Sequence, residues 1–339
     1  MNADTRILLG HGAGGRLTHE LIAKSFVPHF DNPFLATLSD SALLPALPAG
    51  RPALTTDGFV VEPQVFAGGD LGYLSVCGTV NDLAVAGARP LWLTWALILE
   101  EGLERELLDT FVRGAARAAR EAGVAVVAGD TKVVPRGKGD RAYAVTSGLG
   151  VVPTGRDLGD RRIRPGDAVL VSGPLGDHGA TILAARHGID AGDLRSDCAP
   201  LGSLVEALLA DGGEVHALHD PTRGGVATTC YETARRADVR IVLDESDLPV
   251  RREVRATCEL LGLEPLYLAS EGRVLVWVAG RDAERALAAL RAHPLGRDAA
   301  RIGSVEAHSD GLAPLVLRTT IGGVRPLDML SGLDLPRIC

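Results

Sequence analysis

The sequence predicts an α/β (α+β) protein built as two domains. Three observations carry that prediction. Strand-like and helix-like segments alternate in both halves of the chain. A stretch rich in Gly, Arg, Pro and Asp, from Pro153 to Gly166, separates the halves. The length of 339 residues suits two domains at roughly 150 residues each. With 46% hydrophobic and 23% charged residues, the composition is that of a folded globular chain and excludes a disordered one.

In the first half, Pro52 to Thr56 reads as a strand ending at Asp57. From Tyr73 to Gly87, Val76, Cys77, Val80, Leu83 and Ala84 recur at helical spacing. Leu91 to Leu99 is a buried strand, and Glu104 to Glu121 an amphipathic helix with Leu107, Leu108, Phe111, Val112 and Ala115 on one side. Val124 to Ala128 is a further strand, expected to break at Gly129-Asp130, and Ala142 to Val151 follows it. In the second half strands are expected at 168–172, 240–243, 273–279 and 314–318. Helices are expected at 178–187, 201–210, 225–237, 250–261 and 283–292. The final residues lack a helical period and read as a tail. The expected division is a glycine-rich segment 1–35, a domain 36–153, a domain 154–330 and a mobile tail 331–339.

Thirty-five basic against 43 acidic residues give a net charge of −8, which argues against a broad nucleic-acid or anionic-membrane surface. No apolar run approaches the ~18–20 residues of a membrane helix, and MNADTRILLG has no signal-peptide pattern. Five cysteines, an odd number without a CxxC, exclude a disulfide framework or zinc finger and suit a reducing cytoplasm. The fifth, Cys339, is the last residue.

Several clusters have the residue types of nucleotide chemistry. Gly10-His11-Gly12-Ala13-Gly14-Gly15-Arg16 offers backbone N–H groups to an anion, though it matches neither the Walker nor the Rossmann spacing. Asp40, Asp57, Asp82, Asp130 and Asp220 stand at strand ends or in short polar breaks, where α/β folds place ligands and where carboxylates and phosphates together hold Mg²⁺. Asn81-Asp82 interrupts the apolar side of its helix. Each aspartate is equally readable as an N-cap or a turn residue. Lys132 is one of three lysines among the 35 basic residues and suits a phosphate or oxyanion; a solvated turn is its plainer reading. His219-Asp220-Pro221-Thr222-Arg223-Gly224-Gly225 combines a carboxylate, an arginine and a glycine helix start. Glu271 reads as a general base or a strand-entry residue. About nine residues from Ser331 span roughly 30 Å, enough to carry the Cys339 thiol into a distant cleft, with Arg337 offsetting the terminal carboxylate.

Taken together, these motifs resemble one family. The tail Pro-Arg-Ile-Cys and His-Gly-Ala-Gly-Gly are similar to those of the hydrogenase maturation factor HypE, carbamoyl dehydratase. So are Thr-Thr-Asp-Gly-Phe-Val-Val, Gly-Thr-Val-Asn-Asp-Leu-Ala, Ala-Gly-Asp-Thr-Lys-Val-Val and His-Asp-Pro-Thr-Arg-Gly-Gly-Val-Ala. The aspartate motifs also occur in the wider superfamily of aminoimidazole ribonucleotide synthetase, selenophosphate synthetase and thiamine-monophosphate kinase.

The resemblance implies two domains of the synthetase type, with the N-domain sheets pairing in a homodimer and ATP between the domains under the glycine-rich segment. It implies Asp57, Asp82 and Asp220 as Mg²⁺ ligands. Gly12, Gly14, Gly15, Asp40, Asn81, Asp130 and Arg223 would line the nucleotide, and Lys132 and Glu271 the thiol. Glu271 is the expected base and His219 a weaker candidate. The implied reaction is ATP-dependent dehydration of an S-carbamoyl group on Cys339, loaded by HypF, to a thiocyanate whose cyanide passes to iron on HypC–HypD. A thiol serving three such stations belongs on a tail. Two other readings are another ATP-dependent member of the superfamily, such as a selenophosphate synthetase, and a non-catalytic one-carbon carrier. The lack of Cys in Gly10–Arg16 counts against the first, and the aspartates count against the second.

Overall fold

A computed structural model describes residues 5–30, 32–330 and 338–339. A short helix α1 (Arg16–Leu21) runs on into a wider turn over Ile22–Phe26. Then come β1 (Gly50–Phe59), a small hairpin of β2 (Val65–Phe66) and β3 (Gly69–Asp70), α2 (Leu71–Val85), β4 (Arg89–Glu100), α3 (Arg105–Ala122), β5 (Ala125–Val134) and β6 (Ala142–Pro153). The second half runs β7 (Ala168–Val171), α4 (Asp177–His187), α5 (Gly202–Asp211), β8 (Val215–His219), α6 (Gly225–Ala237), β9 (Val239–Asp244) and α7 (Arg252–Leu261). It continues through β10 (Leu275–Val278), α8 (Ala283–Arg291), β11 (Ala300–Ala307), β12 (Leu315–Arg318) and β13 (Val324–Pro326).

β1, β6, β4 and β5 form a four-stranded sheet in that order. α2 and α3 cover one face of it. Asp70 caps α2, its carboxylate accepting the Tyr73 N–H at 3.0 Å. The two helices touch because a Cβ on Gly72 would fall 1.8 Å from the Phe111 carbonyl oxygen. α2 is buried almost all round, since the second half of the chain packs on its far side. That second half has a seven-stranded sheet, ordered β13-β12-β9-β11-β7-β10-β8, with Trp277 fully buried in its core.

Asn81 joins the halves. Its side-chain amide N–H donates to the carbonyls of Ala199 and Glu271, both at 3.1 Å, and its carbonyl accepts the Leu201 N–H at 2.7 Å. The polar interruption on α2 is therefore a tie between domains that engages the amide N–H group and the carbonyl of Asn81.

One expectation fails outright. β5 does not break at Gly129-Asp130 but pairs in parallel with β4 through Val134. Pairing to a long neighbour outweighs the weak strand preference of Gly and Asp. Strand alternation then turns Asp130 and Lys132 outward, away from the helix-covered face. The strands β2, β3, β8, β11 and β13 are not expected from the sequence. The expected tail 331–339, with Arg337, lies outside the described residues except for Ile338 and Cys339.

Candidate active site

Asp57 sits near the end of β1 with its side chain on the covered face, where Thr79 Oγ1 donates to it at 3.2 Å. Asp82, on the last turn of α2, accepts a 2.7 Å hydrogen bond from Thr55 Oγ1 on the same strand. Asp220 follows the carboxyl end of β8, leading into the glycine turn that starts α6. Glu271 comes from the loop before β10. There the glycine after it is required, because a Cβ on Gly272 would lie 1.8 Å from the Asp197 carbonyl oxygen. Four separate elements thus deliver four carboxylates to one cavity of about 40 Å³, together with Gly58, Phe59, Gly78, Thr222, Arg223 and Cys339. With the thiol as one wall, the cavity has room for little more than bound water.

The electrostatics of this cavity are those of crowded negative charge. Burial and then Asp57 push the Asp82 carboxyl up to about 6. Burial and then Asp82 push Asp220 up to about 7. Glu271, 2% exposed, is raised to about 8 by burial first and then by Asp220 and Asp197. One of its carboxylate oxygens has no partner. Its backbone N–H donates to Asp197 Oδ1 at 3.0 Å. The Cys339 thiol donates to the Glu271 carboxylate, and burial, followed by the Glu271 charge, raises the thiol's pKa strongly; Arg223 opposes that rise.

The cavity concentrates negative charge. Three mutually repelling carboxylates face one space, and Arg223 is the basic residue lining it. Among the described residues no group of three or more His, Cys, Asp or Glu is placed to hold a metal ion by itself, so a cation here would need oxygens from a bound phosphate and water besides these carboxylates.

The other expected residues lie elsewhere. Lys132 pairs with Asp130 at 3.0 Å and is well exposed. β5 and β1 are opposite edges of the sheet, about 14 Å apart at three strand spacings. Lys132 therefore does not line the thiol cavity within one chain. His219 is likewise not there: its Nε2 hydrogen-bonds Asp160 at 2.7 Å, and its ring stands edge-on to Trp277. Asp40 and Asp130 line a second cavity of about 210 Å³, walled by Phe26, Phe30, Phe34 and Trp95. The glycine run lies near this β5 edge. Gly12 is held there by close approach, since a Cβ would meet the Val133 backbone N at 2.4 Å. Gly14 has φ +78, and Gly15 precedes α1.

Sequence reasoning missed Thr55, Thr79 and Asp197, which hold the carboxylates in place, and it missed His178 and Ser196. The threonines were legible in principle, because they alternate with Asp57 on β1 or stand one turn before Asp82. The others depend on distant contacts.

Comparison with known proteins places the chain in a family. Residues 39–152 match the N-terminal domain, and 164–312 the C-terminal domain, of the AIR synthase related protein family. A carbamoyl dehydratase HypE from Cupriavidus necator is 51% identical over 336 residues, covering 98% of this chain and 95% of that protein. A crystal structure of hydrogenase maturation protein HypE in complex with ATP matches with a TM-score of 0.94 at 47% identity, covering 98% of this chain and 99% of that one. A HypE–HypF complex matches with a TM-score of 0.79 at 43% identity, over 93% and 100% of the two chains. The chain belongs to the HypE family of hydrogenase maturation proteins.

Proposed function

We propose that this protein is an ATP-dependent carbamoyl dehydratase that converts an S-carbamoyl group on Cys339 into a thiocyanate. The observation that carries this reading is the Cys339 thiol hydrogen-bonded to the buried, high-pKa carboxyl of Glu271 beside three crowded aspartates. The reading divides the chain into segment 1–35, domains 36–153 and 154–330, and tail 331–339.

In its docked position the thiol is a poor nucleophile, because its pKa lies far above neutrality. Carbamoylation therefore belongs outside the cavity, on the HypF partner, as the solved HypE–HypF relative suggests. Once carbamoylated, the cysteine returns beside Glu271. The thiocarbamate oxygen attacks the γ-phosphorus of ATP and ADP leaves, so that oxygen becomes a phosphate ester. The nitrogen gives up one proton as the S–C(OPO₃)=N–H group forms and the second as the C–O bond breaks. Phosphate departs, leaving S–C≡N, ADP and phosphate. Oxygen that would leave as hydroxide thus leaves as phosphate.

Glu271 takes one nitrogen proton, and the departing phosphate takes the other. A carboxyl near pKa 8 is matched to proton transfer close to neutral pH. Asp57, Asp82 and Asp220 would hold Mg²⁺, which supplies charge neutralisation for the phosphates when bound. Arg223 adds fixed positive charge on the same wall. The cyanide then passes to iron on a HypC–HypD complex.

The protein acts as a homodimer. The outer face of the four-stranded sheet is uncovered, with Leu54 77% and Val145 39% exposed beside Trp92 and Leu149. A second copy of the sheet covers it and brings Asp130 and Lys132 into the interface. Among the described residues no helix is long and apolar enough to cross a membrane, and the cytoplasm is where the reaction takes place.

Measuring ADP release with HypF and carbamoyl phosphate present separates an enzyme from a passive carrier. ADP release that stops in Cys339→Ala supports the reading. Equal release by the variant, or none by the wild type, overturns it.

A further inference from the structure

His178 has no part in the chemistry above, yet it is fully buried at the first turn of α4. Its ring Nε2 lies 2.7 Å from the backbone carbonyl oxygen of Ile338, the residue before the reactive cysteine. A carbonyl only accepts, so Nε2 carries the hydrogen and donates it. Nδ1 lies 2.8 Å from Ser196 Oγ. Burial pushes the imidazole pKa down to about 4, so the ring is neutral and Nδ1 accepts the Ser196 hydroxyl proton. The Ser196 oxygen in turn accepts the Cys198 N–H at 3.1 Å. A single chain of donors, Cys198 N–H to Ser196 to His178 to Ile338, thus fixes the tautomer and aims it at the tail. Phe66 stands edge-on to the imidazole at 5.4 Å and blocks the ring from turning away.

The position of this contact is what gives it a consequence. Ile338 is buried, and the next side chain along is the thiol on Glu271. One backbone hydrogen bond therefore sets the depth at which Cys339 enters the cavity. A backbone carbonyl is also unchanged by modification of the cysteine. The same bond serves the free thiol, the carbamoyl and the thiocyanate alike.

We propose that His178, oriented by Ser196 and Phe66, is a positioning residue that latches the Ile338 carbonyl and holds Cys339 docked beside Glu271. This rests on the dehydratase reading, but its first readout does not need catalysis. The latch sets how long the cysteine stays docked, and hence the balance between a buried, unreactive thiol and one exposed to reagents and partners.

The test is alkylation of the full-length, nucleotide-free protein by iodoacetamide, with each cysteine peptide quantified by mass spectrometry. Cys230 and Cys258 are buried, lie outside the donor chain and serve as internal references. His178→Phe keeps a planar ring but removes the donor. Loss of one buried hydrogen bond is expected to raise Cys339 alkylation about tenfold, with the two references unchanged. His178→Gln restores a side-chain N–H and should recover part of the protection. Ser196→Ala, which removes only the aim of the ring, should give a smaller rise in the same direction. In the coupled assay, His178→Phe should lower the dehydration rate and leave loading by HypF intact. Alkylation of Cys339 at the wild-type rate in both His178→Phe and Ser196→Ala overturns the latch. If those variants expose the thiol while the wild type forms no thiocyanate, the latch stands and the dehydratase reading falls.

Discussion

Replacing Glu271 by Gln should make the ligand-free protein more stable at pH 8, though not at pH 5, and much less active, and the size of the effect follows from the site. The Glu271 carboxyl has a pKa of about 8 in the fold against an ordinary 4.5. Because the folded value is the higher one, its favourable contribution is complete below pH 4.5. It is lost as the pH climbs through 8. Between pH 5 and pH 8 the wild type should therefore lose about 3–4 kcal/mol that Gln, which does not ionise, would keep. A Gln amide lacking one partner costs about 1–3 kcal/mol at every pH. The variant should accordingly be no better than wild type at pH 5 and about 2 kcal/mol better at pH 8. Urea unfolding at the two pH values, without nucleotide or Mg²⁺, measures this directly. Dehydration should fall by about 10²–10⁴-fold, the usual worth of a general base. A stability gap between variant and wild type that is the same at both pH values would refute the argument, since the buried charge would then not be the cause. So would a variant that still dehydrates at the wild-type rate.

Two further outcomes follow from the fold. Asn81→Ala removes the three hydrogen bonds its side chain makes to the second half and strands their backbone partners. It should cost about 2–4 kcal/mol in urea unfolding; an unchanged midpoint would show that the other contacts between the halves, such as Arg89–Glu206 and the Ser196 N–H to the Ala67 carbonyl, carry the tie without it. Leu54→Arg puts a charge in the middle of the uncovered sheet face and should convert a dimer to a monomer in light scattering, with circular dichroism unchanged. A dimer that survives this substitution uses another surface.

The sequence carried the architecture because its signals were local. Leu107 to Ala115 on α3 and the apolar run of β4 needed no tertiary information to be read. The aspartates were legible for the same reason: Asp57 ends a strand pattern and Asp82 breaks a helix pattern. Their convergence with Glu271 rests on loops whose approach is set by Gly272 and Asp197, and no spacing rule announces that. Lys132 beside the thiol is what the family resemblance implies, and its reading as a phosphate or oxyanion cation takes Gly129-Asp130 as a strand end. β4 supplies partners for the whole of β5, and the alternation of a continuous strand turns Lys132 outward. His178 read as an ordinary helix start because its partner lies 160 residues away in the chain. His219 looked chemical from its neighbours, but it is engaged by Asp160, 59 residues earlier.

The account rests on Cys339 carrying the substrate through dehydration, and intact mass follows that group atom by atom. The protein is incubated with HypF, carbamoyl phosphate and ATP, with the adduct localised to the C-terminal peptide. The account predicts the gain of one carbamoyl group on Cys339, followed by loss of one water only when ATP can be hydrolysed. An adduct that never loses water in the presence of ATP, or a thiocyanate that forms on any other residue or in Cys339→Ala, would contradict it.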